Sequence, residues 1–185
     1  MTAKESIRQA FKELLTQHSL DHITVIQICD QANVNRQTFY YHYQNMVHLL
    51  EDMIFLEIYD EVNKGKSYDT WKYGFITTLN FIDNNHDIFL NIYHSSYWEE
   101  ANRFFNKISD ALLRGVVDEC IREGGYQIRE EDKQFVIDYY RIIFTGLITE
   151  WTESGRGMSP KHLLQKFEKM IDGTIPQSLQ RFSGA

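Results

Sequence analysis

Two prolines stand in the whole chain of 185 residues, Pro160 and Pro176, and glycine is sparse. Strand-and-turn architectures need turn residues at short intervals, and this chain does not supply them. Apolar residues recur instead at helical spacing: Ile7, Ala10, Phe11, Leu14 and Leu15 stripe one face of a helix over about 3–18. The expected fold class is all-α. At 43% hydrophobic residues, the chain can bury the core of one or two small soluble domains. No apolar run approaches the ~20 residues that span a bilayer, so no membrane is expected as a partner. The N-terminus is amphipathic and carries acids, and nothing in it marks the chain for export. Cys29 and Cys120 lack metal or redox spacing and read as reduced packing residues of a cytoplasmic protein.

"SLDHI" breaks the first helix. Thr24 stands as the N-cap of a short second helix, with Val25, Ile28, Cys29 and Ala32 on one side. Asn33 follows, a residue that tolerates the left-handed backbone of a tight turn. Asn35 can cap a third helix, "RQTFYYHY". Asn45 can cap a fourth from Met46 to about Lys64, with Val47, Leu50, Ile54, Ile58 and Val62 among its apolar positions. "NKGKSYD" is the boundary expected between two modules. Beyond it the periodicity predicts helices over about 69–84, 86–95, 97–123, 131–153 and 160–173, with a short piece after Pro176. That makes about nine helices. The expected division is a DNA-binding domain over 1–45 and a regulatory and dimerisation domain over 46–185, with helix 46–64 as connector.

Within "NVNRQTFYYHYQN", four aromatics and a histidine fill Phe39 to Tyr43. A helix cannot bury all five on one face. Phe39 and Tyr43, four apart, are the expected inward pair. Tyr40 and Tyr41 are then left facing outward, and His42 lies at the rim. Three short helices within residues 3–43, the last two joined by a tight turn, make a helix-turn-helix unit, whose second helix enters the major groove of DNA. Arg36, Gln37 and Thr38 open that helix, where arginine can bridge guanine and glutamine can bridge adenine. Thr24 heads the preceding helix, where its hydroxyl and the backbone N–H groups can hold a phosphate. The expected DNA contacts are Thr24, Asn35, Arg36, Gln37, Thr38, Tyr40, Tyr41 and His42.

The stretch "ITVIQICDQANVNRQTFYYHYQNMVHLL" resembles the DNA-binding segment of TetR-family transcriptional regulators. Thr24, Ile28, Ala32, Val34, Thr38, Phe39, Tyr40, His42 and Tyr43 stand where that pattern places them, and the resemblance covers about residues 5–56. It implies a homodimer on a double-stranded, roughly palindromic operator, with a divergent helical domain in the second half. Three positions depart from the pattern. Cys29 replaces an alanine, Asn33 replaces the turn glycine, and Met46 replaces a lysine that often contacts phosphate in the family. Over residues 1–48, Lys4, Arg8, Lys12 and Arg36 balance Glu5, Glu13, Asp21 and Asp30. The formal net charge of the chain is −7. Affinity is therefore expected to rest on dimerisation, helix N-termini and neutral hydrogen bonds more than on charge.

In the second half, Gly146 sits mid-helix, at a cost of roughly 1 kcal/mol relative to alanine. Close approach of another helix is the usual reason. Tyr139, Ile143, Gly146, Leu147 and Trp151 fall near one side and are the expected dimerisation residues, in a four-helix interface with the helix that Ser159-Pro160 starts. The Gly…Trp…Gly pattern here resembles a subgroup of the family that includes the activator of a dihydroxyacetone kinase operon. It implies an activator working with a kinase-like protein co-regulator that carries dihydroxyacetone. The alternative is a repressor released by a small-molecule effector, and the residues name no ligand contact for it. His86 with His94, and His18 with His22, lack the companion ligands of a metal site. No phosphate loop, nucleophile motif or working carboxylate pair marks an enzyme, and no cofactor is expected.

Overall fold

The computed structural model describes residues 1–56, 70–155 and 157–184. The far part of the expected connector and the "NKGKSYD" boundary lie outside them. Every regular element among the described residues is helical. By contacts the chain divides into two compact units, Met1–Glu57 with Asn85–Phe104, and Ile58–Asn84 with Phe105–Ala185.

The first unit is organised around α1 (Ala3–Leu15), which a capping box of Thr2 and Glu5 opens. It stops at Leu15, earlier than the apolar spacing predicts, and the Thr16 hydroxyl at its C-cap donates to the Glu13 carbonyl at 2.7 Å. After a single 3-10 turn at Leu20–His22 come α2 (Val25–Ala32), α3 (Arg36–His42) and α4 (Met46–Ile54). Each of these three begins at the residue the sequence nominates. Thr24, Asn35 and Asn45 each accept a hydrogen bond from a backbone N–H three residues on. Asn33 ends α2 in the left-handed conformation at φ 52°, and the Val34 N–H closes onto the Cys29 carbonyl at 3.0 Å. α1 packs against α2, α3 and α4. Ile7, Phe11, Leu15, Leu20, Ile28, Phe39, Leu49 and Leu50 are essentially solvent-free between them.

Two further elements belong to this unit although the expected domain boundary at 45/46 separates them from it. They are α6 (His86–Tyr93), which follows α5 (Trp71–Asn84) in the chain, and the first turns of α7 (Trp98–Gly124). α6 packs on α1 and buries Ile88, Phe89 and Ile92. The Asn91 side-chain amide donates to the Leu15 carbonyl at 2.8 Å, and the Asp21 carboxylate accepts from the Ser96 hydroxyl at 2.6 Å.

The second unit holds α5, the rest of α7, α8 (Glu130–Glu153), α9 (Pro160–Ile171) and α10 (Thr174–Phe182). α9 packs on α5, and α10 on α8 and α9. Ser159 caps α9 and Pro160 occupies its first turn, as the sequence predicts. Pro176 lies in the first turn of α10, where its missing N–H would have had no intrahelical partner. Trp71, Phe75, Phe144 and Phe167 form one ring cluster with centroids 4.6 to 6.4 Å apart.

Candidate nucleic-acid interface

The first unit sorts the aromatic run of α3 by face. Phe39 is fully buried and Tyr43 is 1% exposed, whereas Tyr40 is 49% and Tyr41 83% exposed. His42 is half-buried and meets the Tyr41 ring edge-on at 5.0 Å. Arg36 and Gln37 are exposed in the first turn. Thr38 is partly covered, and both its N–H and its hydroxyl donate to Asn35 Oδ1, at 2.8 and 3.1 Å. Asn35 therefore acts as a cap that also fixes the Thr38 rotamer, leaving the threonine oxygen lone pairs and methyl for an outside contact.

At the start of α2, the Thr24 hydroxyl accepts from the Gln27 N–H at 3.3 Å. The Gln27 carboxamide oxygen accepts from the Thr24 N–H and hydroxyl, both at 2.8 Å. This box satisfies two backbone donors and leaves the remaining N–H groups of the first turn at an exposed, positively polarised helix end. Met46, where a phosphate-binding lysine would stand, is buried as the first residue of α4.

A second group of residues carries no signal in the sequence pattern. Asp52, on α4, is the meeting point of three donors. Lys4 reaches Oδ1 at 2.9 Å, while Arg8 and the Tyr43 hydroxyl reach Oδ2 at 3.0 and 2.7 Å. Burial alone would push the Asp52 carboxyl up, but the hydrogen bonds from Lys4, Tyr43 and Arg8 outweigh it and hold it below its ordinary range. Burial, then the hydrogen bond to Asp52, push the Tyr43 phenol well up. Two of the four cations in residues 1–48 are thus engaged by an internal carboxylate.

In the second unit, the exposed row of α8 runs Phe135, Tyr139, Ile142 and Gly146. Ile143 and Leu147 flank it half-buried. Trp151 faces the other way: it is buried, and its indole N–H donates to the Met158 carbonyl at 2.8 Å, tying down the turn before α9. A Cβ built at Gly146 meets nothing within 4 Å, so among the described residues no other helix approaches it. The same unit contains an apolar cavity of about 80 Å³, lined by residues that include Trp71, Phe75, Phe105, Leu112, Phe144 and Ile148. Thr78 and Ser109 bring hydroxyls to its lining, and that of Thr78 is already bonded to the Gly74 carbonyl at 2.9 Å. Among the described residues no group of three or more His, Cys, Asp or Glu side chains could hold a metal ion. No helix there is long and apolar enough to cross a membrane.

A capped helix, a left-handed turn and a second capped helix with a polar, aromatic outer face define a helix-turn-helix DNA reader. Residues 7–53 match the family model described as bacterial regulatory proteins, tetR family. Residues 69–173, more than half the chain, match the model described as transcriptional regulator C-terminal region. The chain belongs to the TetR family of transcriptional regulators. It is 26% identical over 133 residues to DhaS of Lactococcus lactis subsp. lactis (strain IL1403), an HTH-type dhaKLM operon transcriptional activator, over 72% of this chain and 70% of that one. A solved structure of the dihydroxyacetone kinase operon activator DhaS superposes with a TM-score of 0.71 at 22% identity, covering 98% of both chains. NalD of Pseudomonas aeruginosa, the secondary repressor of the MexAB-OprM multidrug efflux pump, superposes at 0.64 with 16% identity, covering 91% of this chain and 94% of that one. At those identities the two structures speak for the fold alone. Activators and repressors both occur among these neighbours.

Proposed function

We propose that this DNA-binding regulator acts as a cytoplasmic homodimer that reads a palindromic operator with α3, and that its second unit receives the signal from a protein. In this reading Arg36, Gln37 and Thr38 address base edges. Tyr40, Tyr41 and His42 lie along the backbone, and Thr24 with the start of α2 holds a phosphate. Asn35 sets the helix start. Tyr139, Ile142 and Gly146, flanked by Ile143 and Leu147, face the same residues of a second copy. The protein partner is a kinase-like co-regulator carrying dihydroxyacetone, and the outcome is activation. Residues 1–45 do the reading and 46–185 the dimerisation and reception.

The observation that carries the partner reading is the size of the apolar cavity. At about 80 Å³ it falls well short of the roughly 300–1,000 Å³ typical of small-molecule sites, and the larger hollow of about 340 Å³ beside Phe135, Tyr139 and Tyr140 is an open, more polar groove between α8 and α10. The alternative, a repressor released by a small apolar molecule, draws on the same cavity and needs it to enlarge on binding. Mixing the dimer with a purified dihydroxyacetone-binding kinase-like subunit on a sizing column separates the two. A complex that forms with dihydroxyacetone present, and leaves operator binding intact or stronger, is the expected result. Failure of the two proteins to associate, together with loss of operator binding on adding a small apolar compound, would replace the activator reading with the repressor one.

A further inference from the structure

The Asp52 cluster does more than hold two helices together. α3 has seven residues and, by itself, too few internal hydrogen bonds to keep a direction. Two inward side chains hold it. Phe39 is held by apolar packing, which is non-directional and sets how deep the helix sits. Tyr43, its C-cap, has an extended backbone (φ −137°, ψ 125°) that stops the helix, and its hydroxyl makes the directional contact, 2.7 Å to Asp52 Oδ2. Asp52 cannot follow a moving tyrosine. Its Oδ1 is taken by Lys4 and its Oδ2 is shared with Arg8, two residues one turn apart on α1. The carboxylate is only 18% exposed, which shields these bonds from water.

We infer that Asp52 is a positioning residue for operator recognition: through Tyr43 it fixes the roll of α3, and with it the aim of Arg36, Gln37 and Thr38 at base edges. α4, which carries Asp52, is also the element after which the chain first leaves this unit. A displacement of α4 therefore reaches the end of the recognition helix through this hydrogen bond, alongside the short Gln44–Asn45 link and the packing of Tyr43 on His48. Base-edge hydrogen bonds weaken steeply with misalignment, whereas phosphate contacts tolerate it, so the loss falls on specific binding and spares non-specific binding.

This inference rests on the DNA-reading role of α3. Its test uses the full-length dimer with two duplexes, one that the wild-type chain enriches from a randomised pool and one scrambled from it. Tyr43→Phe keeps the buried ring and all of Asp52's cationic partners, and removes only the hydroxyl. Its affinity for the enriched duplex is expected to fall about tenfold, the equivalent of one directional hydrogen bond. Its affinity for the scrambled duplex, and the salt dependence of both, should match wild type. Asp52→Asn should lower the enriched-to-scrambled affinity ratio by about the same factor, on a non-specific background raised by the freed Lys4 and Arg8 charges, and the ratio for the double variant should be no lower than that of the lower single one. Wild-type affinity in Tyr43→Phe, or an equal fall on both duplexes, overturns the inference alone. A wild-type chain that enriches no duplex overturns the DNA-reading as well.

Discussion

Tyr43 and Asp52 show how much a single polar pair can settle in a small helical head. The tyrosine is legible from sequence as half of a buried aromatic pair four residues apart, and it is buried as that spacing requires. Its hydroxyl is not legible, because its partner lies on another helix and the carboxylate's other donors are 44 and 48 residues away. A consequence follows for acid. The folded Asp52 carboxyl titrates below its ordinary value, so its contribution is fully present above the unfolded-state value, about 3.9, and is lost as pH falls through the folded one. Stability measured by chemical denaturation is therefore expected to drop as pH falls below about 4. Asp52→Asn should flatten that part of the profile. An unchanged acid limb in the variant would remove Asp52 from the account.

At the scale of elements, the helix starts were readable and the helix faces less so. Thr24, Asn35, Asn45 and Ser159 could be named as caps because capping needs a particular side chain at a fixed distance from backbone donors, a purely local requirement. α8 shows the limit. Its pattern points to one side, but the exposed row lies at Phe135, Tyr139, Ile142 and Gly146, rotated from a centre at Ile143 and Leu147. Trp151 is buried away from that row, where the turn before α9 folds back and offers its Met158 carbonyl to the indole, a contact no periodicity encodes. Likewise, α6 and the turn after it join the first unit through Asn91 and Ser96, side chains that read as ordinary polar surface. If the exposed row of α8 is the subunit interface, Ile142→Glu should shift the dimer toward monomer by at least tenfold in sedimentation equilibrium, since it places two charges in an apolar seam about a two-fold axis. Retention of the wild-type dissociation constant would move the interface elsewhere.

For the molecule as a whole, charge and fold pull in different directions. A net charge of −7 repels DNA, and in the head Lys4 and Arg8 are engaged by Asp52 while Met46 is buried in place of a lysine. Binding must then come from two correctly spaced heads, capped helix ends and uncharged contacts, with each neutralised phosphate adding only about 0.9 to the salt slope. The family was legible in the sequence because the reading head is a local motif. The cavity volume and the Asp52 cluster were not, because both depend on how distant helices pack. The most direct test of α3 as the reading element is a mobility shift on the DNA upstream of the protein's own gene. The wild-type dimer should give a sequence-selective, salt-sensitive shift. Thr38→Ala and Tyr40→Ala should each abolish it while still sedimenting as dimers. A shift that survives both substitutions would contradict the placement of the recognition surface on α3.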